Sequence, residues 1–147
     1  MSHELWSAYL TTVVDVALPD GTHRLLEQVP SQSPQGWPFD EPVAWILTAC
    51  NPRSVVLAPE VNAARHEQMG DRIAELGLVT YPNLGYDPAD PTWNEVGYTI
   101  VGSDEMTVCD LARQWEQNAV FRWAPDGFEL VGVLMPGRDR HGWRWTS

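Results

Sequence analysis

Apolar and polar positions divide this chain into stretches of different period. Residues 9–16 (Tyr-Leu-Thr-Thr-Val-Val-Asp-Val) are rich in β-branched side chains, and Pro19-Asp20-Gly21-Thr22 supplies turn chemistry after them. Residues 7–29 therefore read as a β-hairpin, with the returning arm over 23–29 open to either strand or helix. Four prolines between 30 and 42, mixed with Ser, Gln and Gly, predict an irregular connection. Trp37 and Phe39 within it are expected to pin that connection to the body.

From residue 43 onward the period changes repeatedly. Residues 43–50 (Val-Ala-Trp-Ile-Leu-Thr-Ala-Cys) form a continuous apolar run of strand length, as in a strand covered on both faces, and Asn51-Pro52 ends it. Pro59 sits at a first helical position, and helix spacing continues to Leu76 with Gly77 as the stop. A short strand over 78–81, a turn-rich stretch over 82–91 and a strand over 95–102 follow. Ser103 is read as an N-cap with Asp104 and Glu105 in the first turn, opening a helix to about Gln117. Strands over 119–123 and 128–134 flank Ala124-Pro125-Asp126-Gly127. The order β-α-β-β-α-β predicts an α+β fold, a ferredoxin-like split βαβ core with an N-terminal β-hairpin extension. One domain is expected over 1–147: hairpin 1–29, connection 30–42, core 43–135 and an Arg/Trp tail 136–147.

Composition narrows the partners. The 147 residues carry 9 basic and 20 acidic side chains, a net charge of −11, which argues against a nucleic-acid binder or a protein that docks on anionic membranes. The start lacks a basic n-region and a long apolar h-region, so a cytoplasmic location is expected. Cys50 and Cys109 form no C-x-x-C pair and read as reduced and buried. Every basic residue is Arg, and Trp occurs eight times. Three Arg and two Trp share the tail, where docking on the acidic body is favoured over binding a polyanion.

Four ordered pieces carry a resemblance: Thr48-Ala49-Cys50-Asn51-Pro52, then Leu57 to Arg65 (LAPEVNAAR), then Trp93-Asn94-Glu95-Val96-Gly97 and Trp115-Glu116-Gln117-Asn118-Ala119. Over about residues 44–131 the chain resembles a bacterial domain-of-unknown-function family, number 3293. Glu116 stands where that family usually has a small residue, and Val61 where it typically has a second acidic one. No established activity comes with the resemblance. It implies polar positions worth weighing: Asn51, Asn62, Arg65, Glu95, Gln117 and Asn118.

Two constellations could carry chemistry. Asn62, Arg65, Met69, Ile73 and Leu76 share one helical face, so its stripe turns polar in the first two turns. A buried Arg65 needs a carboxylate, backbone carbonyls or an anionic ligand, and Asn51 is placed to join it. A structural tether and a ligand anchor both fit. The second set is Trp93, Glu95, Gln117 and Asn118, where a desolvated Glu95 could act as a catalytic acid/base. Equally, Gln117 and Asn118 could cap a helix and Glu95 could pair with Arg113 or Arg122. The split βαβ reading places the two sets at opposite ends of the sheet.

His3, His23, His66 and His141 have no partner at metal-ligand spacing, and Asp87 and Asp90 lack a Ca²⁺-loop pattern, so no metal or cofactor is expected. Neither Ser54 nor Cys50 has a His beside it, and no phosphate-binding or nucleophile-elbow motif is present. Three functional classes remain. The leading one is a ligand- or protein-binding regulatory domain, with a homodimer possible. The alternatives are a small metal-independent enzyme, with hydrolysis one option, using Glu95 with Arg65 as anion anchor, and an acidic inhibitor or immunity-type protein for a basic partner. The last expects one acidic face from Asp87, Asp90, Glu95, Asp104 and Glu105.

Overall fold

Strand pairing closes on itself in this protein. The computed structural model describes residues 3–31 and 36–146. Its elements run α1 (His3–Leu10), β1 (Val13–Ala17), β2 (His23–Val29), β3 (Ala44–Leu47), a 3₁₀ turn at Pro52–Ser54, α2 (Pro59–Glu75), β4 (Val79–Asp87) and β5 (Asp90–Val101). They continue with α3 (Glu105–Gln114), β6 (Ala119–Ala124), β7 (Gly127–Gly132) and β8 (Arg138–Thr146). The strands form a closed barrel in the order β1-β2-β8-β7-β6-β3-β5-β4, and every pairing is antiparallel. Antiparallel pairing of β1 with β4, Val14 opposite Gly85, seals it.

The ferredoxin-like α+β expectation is therefore incorrect, and three particulars overturn it. The stretch over 82–91 is no loop: it holds most of a long hairpin in which Pro82 pairs with Tyr98 and Gly85 with Glu95. The N-terminal hairpin is not an extension but two barrel staves, and residues 3–10 before it are helical. Residues 138–146 are a stave too, joining β2 (Leu26 opposite Trp145) to β7 (Phe128 opposite His141). A split βαβ core is an open sheet with two free edges, whereas here β4 pairs on with β1 and β6 with β7, and the sheet closes on itself.

Alternation along the staves makes two cores. On β3, Ala44 and Ile46 face the barrel interior, while Trp45 and Leu47 face outward under the helices. The apolar run 43–50 is thus covered on both faces. Inside one end, Trp123, Trp143 and Phe39 form a plug of edge-on rings in the same core as Phe128, with Trp123 and Trp143 centroids 5.4 Å apart. Trp37 joins it, 5.0 Å from Trp123, and donates its indole N–H to Glu41 O, so the Pro-rich connection is pinned as its aromatics suggested. Outside, Met69 and Ile73 of α2 and Val108, Leu111 and Ala112 of α3 cover β3, β5 and β6. The α3 cap is Asp104, whose side chain accepts from Thr107 N at 2.8 Å, one residue past the expected Ser103.

The tail's cations are engaged on the barrel itself. Arg138 grips Glu105 and Glu129, Arg140 pairs with Asp126, and Arg144 pairs with Glu27. Arg24 lies over the Trp145 ring at 4.5 Å. Cys50 and Cys109 are free and buried. Among the described residues no helix is long and apolar enough to cross a membrane.

Candidate functional site

Eight staves leave an interior just wide enough for side chains or one small ligand. Here the aromatic plug fills one end and a cavity of about 280 Å³ occupies the other. Val14, Ile46, Ala119 and Phe121 give it an apolar floor, and Tyr9 of α1 reaches in from above. Asp87, Asp90 and Trp93 line it at the β4–β5 turn. Of the two glycines on the inward side of this hairpin, Gly85 lines the cavity. A Cβ on Gly97 would collide with the Leu47 carbonyl and the Asn83 side chain, whereas one on Gly85 would meet only ordinary contacts, nearest at 3.6 Å from Thr12.

The loop after β3 sets the polar wall. Thr48 Oγ1 accepts from Cys50 N and donates to Val96 O, turning the chain sharply. Asn51, Arg53 and Ser54 then all take left-handed φ values of 50°, 54° and 62°. Such angles are uncommon outside glycine and gather where surroundings over-determine them. The surroundings here are specific. Arg53 N donates to Glu116 O at 2.8 Å, and Glu116 is itself at φ 56°.

Asn51 and Asn62 grip each other through two hydrogen bonds. Asn51 N donates to Asn62 Oδ1 at 2.9 Å, and Asn62 Nδ2 donates back to Asn51 Oδ1 at 2.8 Å. Leu57 N also donates to Asn51 Oδ1. With that oxygen fixed as an acceptor, Asn51 Nδ2 has to point the other way, and it donates to Glu95 Oε2 at 2.8 Å. Among the described residues no donor reaches Glu95 Oε1. Burial drives the Glu95 carboxyl up from its ordinary 4.5 to about 7, against the lowering effect of the Asn51 hydrogen bond. Burial first, and then the Glu95 charge, also raise the Tyr9 phenol, whose oxygen lies 3.3 Å from Ser54 Oγ.

The candidates separate into wall and brace. Asn51, Trp93, Glu95 and Gln117 line the cavity. Asn62 braces Asn51, and Asn118 Nδ2 donates to Ser54 Oγ from behind. Arg65 faces no carboxylate. Its guanidinium donates to Ala49 O at 2.7 Å and Trp115 O at 2.5 Å, tying the β3 loop to the end of α3. Arg113 pairs with Asp110 and Arg122 lies over the Trp45 ring, so neither meets Glu95. Members of the two constellations expected at opposite ends of a sheet, Asn51 of the first and Trp93, Glu95 and Gln117 of the second, share one cavity, because β5 pairs antiparallel with β3, Leu47 opposite Tyr98, and so starts beside the loop after β3. Of the five carboxylates expected on one face, Asp87, Asp90 and Glu95 line the cavity, Asp104 caps α3 and Glu105 holds Arg138.

Sequence reasoning missed Tyr9, Ser54 and Asn83. Trp6, Tyr9 and Leu10 do stand at helical spacing, a signal outweighed by the β-branched residues that follow. Asn83 gave no comparable signal.

A family model described as a protein of unknown function (DUF3293) matches residues 47–120. The chain belongs to this family. No curated protein and no solved structure matches it. The DUF3293 stretch carries Asn51, Asn62, Trp93, Glu95 and Gln117, while Tyr9 and Val14 come from the part of the chain before it.

Proposed function

We propose that this DUF3293 protein binds one compact small molecule in the mouth of its barrel, beneath α1. The observation that carries the reading is Glu95, a carboxyl drawn into an apolar-floored cavity with one oxygen fixed by Asn51 and the other without a protein donor. A partly desolvated carboxyl that keeps one oxygen open to a concave site offers a ligand a ready polar partner. The left-handed loop that presents Asn51 and Ser54 supports the same reading, since strain of this kind gathers at binding sites.

The test fills the cavity. Gly85 faces inward with room for a Cβ, so Gly85→Leu should fold and occupy the ligand's space. A thermal-shift screen of compact molecules should find compounds that raise the melting temperature of the wild type and leave Gly85→Leu unmoved. Equal shifts in both proteins would count against the cavity.

One observation favours a second reading, that the ligand is a substrate. A carboxyl poised at about 7 exchanges protons readily at neutral pH, as an acid/base catalyst must. Under that reading Glu95→Gln keeps binding but loses turnover, and the rate titrates near pH 7. A Glu95→Gln protein with undiminished turnover would sink it.

A further inference from the structure

The polar groups of the cavity share a bias. Gln117 Nε2 donates to Cys50 O at 3.0 Å and Trp115 O at 3.1 Å, which fixes the amide and leaves its oxygen with no donor among the described residues. Asn51 Nδ2 is engaged with Glu95 Oε2, and Asn83 Nδ2 with Thr99 Oγ1. Thr48 gives its hydroxyl proton to Val96 O. Protein donors are thus turned into the protein, and Glu95 Oε1 and the Gln117 and Asn83 side-chain oxygens are left over. The donors that remain are one hydroxyl proton shared between Tyr9 and Ser54, the second amide proton of Asn51 and of Asn83, and the Trp93 indole N–H.

Charge has the same bias. Among the described residues, Glu95, Asp87 and Asp90 line the cavity and no Arg or His does, in a chain that has no Lys. Arg65, the nearest candidate for an anion anchor, is held by two backbone carbonyls. An anionic ligand would enter a site of like charge with nothing to pair it. A cationic one would meet a carboxylate in a partly desolvated wall, where the pair attracts more strongly than in water. It would also meet the rings of Tyr9, Trp93 and Phe121, which favour cations over their faces.

We propose that the barrel cavity takes a compact organic cation, a primary amine or amidine on an apolar or aromatic group, with its N–H donors on Glu95 Oε1. This rests on the cavity being a ligand site and names the class of ligand. At roughly 30 Å³ per water-sized group, the volume suits on the order of ten non-hydrogen atoms. Tyr9 from α1 and Cys50 and Asn51 from the β3 loop adjoin Glu95, and Asp87 and Asp90 of the β4–β5 turn line the same cavity. A cation beside the carboxyl favours its ionised form, so binding releases a proton from the population protonated near pH 7 and strengthens as pH rises.

Three probes of one shape make the test: 2-phenylethylamine, 2-phenylethanol and phenylacetate, titrated calorimetrically against wild type, Glu95→Gln and Gly85→Leu above pH 7. The amine should bind the wild type at least about tenfold more tightly than the alcohol, a difference of about 1.4 kcal/mol, and phenylacetate should bind least. Glu95→Gln should bring amine and alcohol to similar affinity, and Gly85→Leu should bind none. If the alcohol or phenylacetate binds the wild type as well as the amine does, and Gly85→Leu blocks it, the cavity is a ligand site and the cation assignment is overturned. If no probe binds, or Gly85→Leu binds as the wild type does, the cavity reading falls with it.

Discussion

Glu95 is held in place by neighbours that do not fully compensate its charge. Its carboxyl titrates near 7 when folded against an ordinary 4.5, so between those values the folded protein holds more protons than the unfolded chain. Stability therefore falls as pH rises through that window, and the full penalty is present above it. Two and a half pKa units correspond to at most about 3 kcal/mol. Glu95→Gln removes the ionisation while keeping an oxygen for Asn51 Nδ2. Denaturant melts should show it stabilised over the wild type at about pH 8, with the gain shrinking toward about pH 5. A gain equal at both ends would mean that Glu95 titrates normally. Arg65 makes the opposite case, a cation satisfied wholly by backbone. Arg65→Ala strips Ala49 O of a charge-assisted partner, and Trp115 O keeps only the Gln117 amide. The expected cost is about 1–3 kcal/mol, read from chemical denaturation, with probe affinity retained below the unfolding midpoint. Lost affinity in a protein of unchanged stability would instead make Arg65 part of the site.

Among the elements, the two longer helices and the buried strand were legible in the sequence, and the far half of the β4–β5 hairpin was not. Pro59 opens α2 and the apolar run yields β3 as their patterns predict, because each presents one consistent face to a dry core. The far half of the β4–β5 hairpin has Asn83, Gly85, Asp87 and Glu95 on its inward positions. A stave that faces a polar cavity shows no apolar alternation, and Pro82, Pro88 and Pro91 complete the impression of a loop. The same property that makes the site blanked its signal. Glu95, Asn51, Trp93 and Gln117 could be picked out as residues beside core patterns, but their meeting could not, because it depends on β3 pairing with β5 and on Gln117 tying the end of α3 to the β3 loop. α1 was hidden for a different reason: its eight residues run into β1 after only Thr11 and Thr12. It covers the cavity with Tyr9, whose ring lies edge-on to Phe121 at 6.3 Å, and Gln28 Nε2 donates to its backbone oxygen. A chain starting at Thr12 should keep the barrel and lose the cover. Its melting temperature should drop by a few degrees, and whatever ligand binds should dissociate faster in stopped-flow measurements. Unchanged dissociation would exclude α1 as the cover.

At the scale of the whole molecule, what distinguishes this barrel is how far apart in sequence its closing contacts lie. β1 meets β4 across about 70 residues, and β2 meets β8 with Leu25 opposite Thr146. Loop closure must precede such contacts, which places folding in the slow range of non-local β topologies, roughly milliseconds to seconds. It also changes the meaning of the C-terminal stretch, whose Arg and Trp residues made it look like an appendage. β8 supplies Trp143 to the aromatic plug and pairs along both sides, so removing it exposes the edges of β2 and β7 and opens the interior. Exposed edges invite pairing with other chains. Truncation after Met135 should therefore give a protein without a cooperative thermal transition, prone to aggregate, and lacking the near-ultraviolet dichroism of the packed Trp cluster. The cavity at the opposite end should be lost with it, although β8 contributes none of its lining, because a barrel missing one stave no longer encloses the space between β1 and the β3, β5 and β6 walls. A truncated chain that still melted cooperatively and bound the same ligand would show instead that the site does not depend on β8.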